Sequence, residues 1–346
     1  MRRSLFIVYF IGLYFSSQAQ DFHLSQYWSN PVQLNPALSG LMEDNVRISS
    51  NYRNQWFQQI SFSTYTASMD ANLFRNRLNG NFVGVGLGFY QDVEGRGEFK
   101  NNGLNLNLSY NQKIKGRKAS HYIGFGLQAA YFSKQLNIKN IIYGTLYEVN
   151  SNTDPIDYLN YNRRSIMDLG SGVNYFLNIK NKHLFSASFA VLHIARPNTS
   201  FRNDVSDLLY RKFTLNMSGR VEFNNEKFAL MPLFLFQHQG PHKELNLGTF
   251  VQISLQSKER AYFYLGAQYR LAAFEQKALG SDALVLAVRG EVKAVDIGFS
   301  YDITTSKLRT ANSFIGGPEL SLQYAFSTSS SPSAKYRRNG MRMPKF

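Results

Sequence analysis

The sequence predicts an all-β fold, a transmembrane outer-membrane β-barrel of about 14 antiparallel strands, and three observations favour it. From Val46 onward, segments of about ten residues alternate apolar residues with small or polar ones, which is the period of strands that face two environments. Tyrosine (21) and phenylalanine (28) are abundant, as in the aromatic girdles of such barrels. The connectors alternate between short and long, a pattern typical of outer-membrane barrels.

The alternating segments are the candidate strands, and clear examples are NFVGVGLGFY from Asn81 and GLNLNLSYNQ from Gly103. Their number is even, as it is in single-chain outer-membrane barrels. The runs lie near residues 46–54, 60–72, 81–92, 102–114, 120–134, 166–178, 183–194, 211–224, 227–238, 244–257, 260–271, 282–291, 293–305 and 317–328.

The connectors predict the orientation of the barrel. Long connectors near residues 135–165, 195–210 and 306–316 all follow odd-numbered runs. With both termini in the periplasm, odd-numbered connectors face outward, so the long ones form extracellular loops. The short turns are basic and contain Lys115, Arg117, Lys118, Lys180, Lys182, Lys258 and Arg260. We interpret them as solvated periplasmic turns, and a basic docking rim is the alternative.

Residues 1–19 have the features of a secretory signal peptide. Arg2 and Arg3 precede an apolar run at residues 5–15, and Ala19 ends a small-x-small cleavage site. The alternative is a membrane anchor, but a spanning helix needs roughly 20 apolar residues. The chain has no cysteine, which excludes a lipid-anchor cysteine, disulfides and thiol catalysis.

The composition restricts the class of partner. A mean hydropathy of −0.30 is also compatible with a soluble β-sandwich array, although polar lumen residues lower the hydropathy of a barrel in the same way. The formal net charge is +15. Because an exported chain does not meet nucleic acid, acidic envelope polymers, lipid headgroups and acidic periplasmic proteins are the expected partners.

Two segments lie outside the predicted barrel at 46–328. Residues 20–45 contain two prolines and no sustained alternation, and they precede the first strand, so we predict that they plug the barrel. Residues 329–346 are rich in serine and proline and then basic, and we predict a periplasmic tail that reaches a partner. The basic candidates in this tail are Lys335, Arg337, Arg338, Arg342 and Lys345.

Glycines on one face of strands three to six predict where the plug packs. The run from Gly84 to Gly88 resembles a nucleotide-binding loop, but its glycines recur at every second residue of a strand and open no helix. Glycine in a strand often marks the close approach of another backbone. The alternative is relief of crowding in a curved sheet. The packing candidates are Gly84, Gly86, Gly88, Gly124, Gly126, Gly170 and Gly172 on the wall, and Tyr27, Trp28, Asn35, Pro36 and Ala37 on the plug. We expect Trp28 to dock against this glycine wall, because a large ring needs the space.

No residue pattern predicts catalysis, a cofactor or a metal site. His238 and His242 are close in sequence but lack a third ligand, so we interpret them as a solvated loop pair. Calcium binding at Asp92 and Glu94 is an alternative to a simple glycine turn. The chain has no G-x-S-x-G elbow, although a lipase with a dispersed serine and histidine remains an alternative.

Six segments carry a resemblance to a known family: DFHLSQYWSNPVQLNPALSG after Gln20, NYRNQWF from Asn51, STYTASMDA from Ser63, YLGAQYR from Tyr264, IGFSYDITTSKL from Ile297 and PELSLQYAF from Pro318. Together they resemble the PorP/SprF family of type IX secretion and gliding-motility outer-membrane proteins. The family pattern often ends in a Cys-Pro-aromatic tail, where this chain has Met343-Pro344-Lys345-Phe346. The Asn35-Pro36-Ala37 element also resembles the N-terminal element of fatty-acid-transporter-type barrels, which have an N-terminal plug.

The resemblance implies a non-enzymatic barrel in outer-membrane lipid that assists export or surface retention of type IX cargo, often large adhesins. It also implies contact with periplasmic components of the machinery. Because a fold does not decide function, transport of hydrophobic small molecules on the same fold is the alternative.

Overall fold

Fourteen strands of the described chain form one closed antiparallel barrel, in which each strand pairs with its neighbours in sequence and β1 pairs with β14. The computed structural model describes residues 21–55, 62–75, 77–95, 99–116, 119–136, 163–179, 182–201, 206–223, 227–255, 261–274, 278–306 and 316–327. The predicted fold class and strand number are confirmed. The strands β1 to β14 are Val46–Gln55, Phe62–Leu73, Phe82–Glu94, Phe99–Lys115, Ala119–Gln135, Arg163–Ile179, His183–Leu192, Lys212–Phe223, Phe228–Gln239, His242–Ser254, Ala261–Phe274, Gly280–Val292, Val295–Thr304 and Gly317–Phe326.

The alternation of residue types separates the two faces of the wall. In β4, Leu106 points outward and is 55% exposed, whereas its neighbour Asn107 points into the lumen and is fully buried. The same pattern recurs around the barrel, since most of the exposed large apolar side chains lie on strands at outward positions. The exterior therefore presents the apolar surface that lipid requires, and polar residues line the lumen.

Residues 21–45, which we name the lumen segment, lie inside the barrel. Single 3-10 turns form at Tyr27–Ser29 and Pro36–Leu38, and a short helix, α1, forms at Pro31–Leu34. Pro31 and Pro36 each occupy the start of a helical turn, where a missing N–H costs nothing. Among the described residues, no helix has the length and apolar character needed to cross a membrane.

The lumen segment runs from one end of the barrel to the other. Asp21 contacts His193, which follows β7, and Lys212 at the start of β8. We name this the Asp21 end. The segment then meets the middle of the wall and finishes at Asn45, whose N–H donates to Phe326 at the end of β14. We name this the Asn45 end.

The ends of the described chain therefore lie at opposite ends of the barrel. Within the described chain, Asp21 lies at the end where odd-numbered connectors emerge and Phe326 lies at the other. The physical reason is that the lumen segment traverses the full length of the barrel before β1 begins. The side of the membrane that each end faces stays a prediction.

Candidate functional site

The lumen segment is held at the Asp21 end by carboxylates of the last two strands. Glu319 of β14 accepts hydrogen bonds from the backbone N–H groups of Ser25 at 2.7 Å and Gln26 at 3.2 Å. Asn51 of β1 donates to the same carboxylate at 2.9 Å. Because all four residues are buried, these charge-assisted bonds replace the water that the segment loses.

A second carboxylate lies between two guanidinium groups. Asp302 of β13 accepts bonds from Arg53 and Arg270, each at 2.9 Å, and from the hydroxyl of Ser25 at 2.8 Å. Arg53 also donates to the backbone carbonyl of His23. Removing one member of such a buried ion cluster leaves an uncompensated charge, which is strongly destabilising. The cluster therefore couples strands β1, β11 and β13 to the lumen segment.

The Asn45 end has its own anchor. Asp70 of β2 accepts a bond from the N–H of Gly40 at 2.7 Å and is paired with the Arg47 guanidinium at 2.7 and 2.9 Å. Gly40 has a positive φ of 74°, and a Cβ there would meet the backbone of Gly84 and Ala71. Only glycine fits this contact without a shift of the backbone.

Amide and hydroxyl side chains of β4 and β6 bind the backbone of the lumen segment between these anchors. Asn107 donates to the carbonyl of Val32 at 2.8 Å, Ser109 to that of Ser39 at 2.8 Å, and Asn174 to that of Ala37 at 2.6 Å. Backbone carbonyls without such donors would be unsatisfied inside the barrel.

Five of the seven predicted wall glycines lie against the lumen segment. A Cβ on Gly84 or Gly86 would meet Ser39, one on Gly88 would meet Gln33 as well as Asn105, and one on Gly126 would meet the backbone of Pro36 and Ala37. A Cβ on Gly172 would meet Asn35. For Gly124 and Gly170 the nearest atoms belong to other wall side chains, namely Asn174, Asn111, Leu192 and Gln128.

The Asn35-Pro36-Ala37 element is fixed by both its side chain and its backbone. The Asn35 side-chain oxygen accepts a bond from the Ala37 N–H at 2.8 Å, which caps the second 3-10 turn. Its amide group donates to the carbonyls of Val173 and Phe189, both at 3.2 Å. One side chain thereby connects the turn to β6 and β7.

Trp28 does not dock against the glycine wall as we expected from the sequence. Its ring packs edge-on against Phe250 of β10, with centroids 4.9 Å apart, and next to Tyr27 at 5.3 Å. The space beside the glycines is occupied instead by the backbone of Pro36, Ala37 and Ser39 and by the side chains of Gln33, Asn35 and Ser39. Apolar residues of the segment and of the opposite wall form one cluster that includes Leu34, Leu38, Leu41, Met231, Leu233 and Leu235.

A group of charged side chains lies at the Asp21 end. His193 bonds Asp168 at 2.5 Å and Asp21 at 2.8 Å, and Lys212 lies 3.5 Å from Asp21. Burial alone lowers the pKa of His193, but the two carboxylates outweigh it and raise the pKa to about 9. Burial alone raises the pKa of Asp21, but His193 and Lys212 outweigh it and hold the pKa below its usual range. Both groups are therefore charged at neutral pH.

The remaining predicted site residues do not form a metal centre. Across the described ranges, no group of three or more histidines and carboxylates is placed to hold a metal ion. His238 bonds the backbone carbonyl of His242 at 3.3 Å, and Asp92 accepts a bond from Thr64 at 2.5 Å. The tail candidates Lys335, Arg337, Arg338, Arg342 and Lys345 lie outside the described residues.

A comparison with known protein families shows which family this chain belongs to. The model of the type IX secretion system membrane protein PorP/SprF matches residues 16–324. The chain belongs to the PorP/SprF family. It is therefore an outer-membrane β-barrel component of the type IX secretion system that is not an enzyme. No curated protein matches the chain.

Solved structures resemble this PorP/SprF protein at low sequence identity. CdiB from Acinetobacter baumannii is 9% identical with a TM-score of 0.47. The match covers 82% of this chain but only 60% of the length of CdiB. The toluene transporter TbuX from Ralstonia pickettii is 13% identical with a TM-score of 0.45, and the match covers 86% of this chain and 93% of TbuX. The CymD monoaromatic hydrocarbon channel is 13% identical with a TM-score of 0.46, and the match covers 86% and 93%.

The segments that carry the PorP/SprF resemblance supply several of the charged and amide residues of the lumen wall, which the sequence analysis did not single out. They contribute Asn51, Arg53, Asp70, Gln268, Arg270, Asp302 and Glu319. The available signal was a charged or amide residue at an inward position of an alternating strand, since such residues are buried and need partners.

Proposed function

We propose that this PorP/SprF protein assists export or surface retention of type IX cargo as a barrel whose lumen is sealed by residues 21–45. The proposal rests on the hydrogen-bonded course of the lumen segment from Asp21 to Asn45, because a polypeptide that crosses the lumen obstructs it. Cargo is then expected to use surfaces of the barrel and its loops. The partners are a secreted protein, such as a large adhesin, and periplasmic components of the machinery that meet the basic tail.

Single-channel conductance tests the seal. The purified barrel should conduct poorly, and a variant without residues 21–44 should conduct as an open pore. Altered mobility of the unboiled sample on a gel would show that the variant still forms a closed barrel, which has no free edge from which to unfold. Equal conductance of both proteins would refute the seal.

Capture from native envelopes tests the role in secretion. The tagged protein should retain type IX components and a secreted cargo, and a variant truncated after Ser327 should lose the periplasmic components only. Recovery of neither class, from envelopes that contain both, would contradict the proposal.

A second candidate function is transport of hydrophobic small molecules, and the apolar side of the lumen favours it. Met231, Leu233, Leu235 and Phe250 face inward, and cavities of about 90 and 30 Å³ lie between this side and the lumen segment. Uptake of a radiolabelled fatty acid into cells, with and without the protein, separates the two functions.

A further inference from the structure

The ladder between β6 and β7 stops well short of the end of β6. β5 and β6 pair along their whole length. β7 pairs with β6 only as far as Ser171, and one further bond joins the N–H of Ile194 to the carbonyl of Leu169 at 3.0 Å. Residues 163–169, which we name the β6 edge, therefore have β5 on one side and no strand on the other side within the described structure.

The described part of the connector after β7 does not continue along this edge. His193 and Arg196 have positive φ of 58° and 49°, a backbone conformation typical of turns, and the chain leaves the line of β7 there. Leu209, near the end of the connector, lies in one buried cluster with Phe132 and Ile166, whose side chains point into the lumen. The connector thus folds toward the lumen and leaves the side of β6 open.

Backbone hydrogen-bonding groups face this open side. In an antiparallel ladder, the N–H and C=O groups of successive residues point to opposite sides of the strand. The carbonyl of Leu169 faces Ile194 and hence the open side. The backbone groups of Met167, Ser165 and Arg163 face it too, because each lies an even number of residues from Leu169. Such a row is a template for another strand, and seven residues offer a length of about 20 Å.

The side chains on the outer face of the β6 edge indicate the chemistry of a partner. Met167 is 78% exposed, the largest fraction among the exposed large apolar side chains of the described chain. Arg163 is exposed at one end of the edge. Arg211 is exposed at the other end, because it donates to the carbonyl of Ile194, whose own N–H bonds Leu169. An apolar side chain between two cations is complementary to a segment that carries an apolar residue between acidic ones.

We propose that the β6 edge binds an extended polypeptide segment as an added antiparallel strand, in the place that β7 leaves open. An apolar residue of that segment lies beside Met167, and acidic residues lie beside Arg163 and Arg211. The inference rests on the function proposed above for one point only, that the segment belongs to a secreted cargo protein. A second copy of the chain fits less well, because β6 runs in the same direction in all copies within one membrane and cannot pair antiparallel with itself.

Hydrogen exchange of the purified full-length protein, followed by NMR, tests the edge with a synthetic probe. The amides of Ser165 and Met167 should exchange fast, and those of Ile166 and Asp168, which face β5, should exchange slowly. The capped peptide Ser-Val-Ser-Thr-Ser-Glu-Ser places valine beside Met167 and glutamate beside Arg163. At saturation it should slow exchange at Ser165 and Met167 by at least about tenfold. The same peptide, N-methylated at its threonine, lacks one ladder donor and should have no such effect.

Two variants separate strand addition from other modes of binding. Ser165→Pro removes the N–H on the open side, leaves pairing with β5 intact and should weaken peptide binding by at least about tenfold. Ser165→Ala is the matched control, because both variants lose the hydroxyl contact with Tyr131 and only proline loses the N–H. Arg163→Glu should weaken binding of this peptide, and replacing the peptide glutamate by lysine should restore it. Unboiled gel mobility shows that each variant forms a closed barrel.

Three results would overturn the proposal. Exchange at Ser165 and Met167 that stays fast at every peptide concentration would show that no strand is added. Equal binding of the peptide to the wild type and Ser165→Pro would place it elsewhere. Slow exchange without peptide would mean that the edge is already covered, by a second copy if the protection falls on dilution. Because these measurements use no cargo, a normal peptide response with failed capture from envelopes would contradict the proposed function alone.

Discussion

The Glu319 carboxylate accepts a 2.7 Å hydrogen bond from the backbone N–H of Ser25 and so joins the last strand to a residue 294 positions earlier. The bond forms at the seam where β14 meets β1, next to Asn51 on the neighbouring strand. One polar cluster, formed by Glu319, Asn51 and Ser25, therefore lies where β14 and β1 close the barrel and also binds the lumen segment.

Glu319→Gln should loosen the lumen segment at its Asp21 end. Glutamine has nearly the volume of glutamate, but its amide NH₂ replaces one carboxylate oxygen. This NH₂ is a donor, and it would face the donors of Ser25, Gln26 and Asn51. A hydrogen bond to a charged group contributes about 1.5–3 kcal/mol, so hydrogen exchange at Ser25 and Gln26 should accelerate more than tenfold. Leu320→Ala, at a lipid-facing neighbour, is the control and should leave exchange unchanged; acceleration in both variants would mean a general loss of stability.

Gly126→Leu should displace the lumen segment. The new side chain would overlap the backbone of Pro36 and Ala37, and overpacking of this kind costs about 1–3 kcal/mol. Conductance of the purified barrel should rise. Phe125→Leu faces outward on the same strand, and Gly290→Leu adds a side chain where no atom lies within 4 Å of the new Cβ, so both controls should stay closed.

Raising the pH above 9 should weaken the contact of Asp21 with His193. The folded-state pKa of His193, about 9, lies above the unfolded value of about 6.5, so its contribution is complete below pH 6.5 and is lost as the pH passes 9. A 4-fluorophenylalanine at Phe22 should report this titration by ¹⁹F NMR. His193→Asn should abolish the transition and His183→Asn should not; a midpoint near 6.5 in the wild type would contradict the charged pair.

Pro232→Thr should strengthen the backbone pairing between β8 and β9. The ladder pairs Ser218 with Leu233 and Val221 with Leu230, but Gly219 and Pro232 are not paired, because proline has no N–H to donate. A restored bond adds about 0.5–1.5 kcal/mol, and the temperature at which the barrel loses its unboiled gel mobility should rise. Leu230→Thr changes an outward residue that is already paired and should not raise it.

The natural absence of cysteine allows a direct test of orientation. Arg211→Cys lies in the connector after β7, and Lys182→Cys lies in the turn before it; both positions are exposed. An impermeant maleimide on intact cells should label Arg211→Cys only, because we predict that odd-numbered connectors face outward. Labelling of Lys182→Cys alone would invert the predicted orientation.

The strands were predictable because one physical rule determines each of them. A residue such as Leu106 must face lipid and Asn107 must not, so the period of two is visible without any tertiary information. The boundaries differ by a few residues, as in β6, which begins at Arg163 where the alternation suggested residue 166. Such ends depend on pairing with β5, which a single strand does not reveal.

The interior was only partly predictable. The alternation indicates that Gly124 and Gly126 both face the lumen, but it does not indicate that only Gly126 meets the lumen segment. The position of Trp28 beside Phe250 depends on contacts between β10 and a segment more than 200 residues earlier, for which no local pattern exists. Glu319 could have been identified as a charge on an inward position, although its partner Ser25 could not.

Asn45, the last residue of the lumen segment, is fixed beside β1 by two backbone hydrogen bonds. Its N–H donates to the carbonyl of Phe326, and its carbonyl accepts from the N–H of Asn72. The Asn45 end is thus attached by backbone groups, whereas the Asp21 end is attached by the ionisable side chains of His193 and Lys212. The two attachments differ in kind, since only the one at Asp21 depends on the protonation of a side chain. A release of the lumen segment is therefore expected to begin at Asp21.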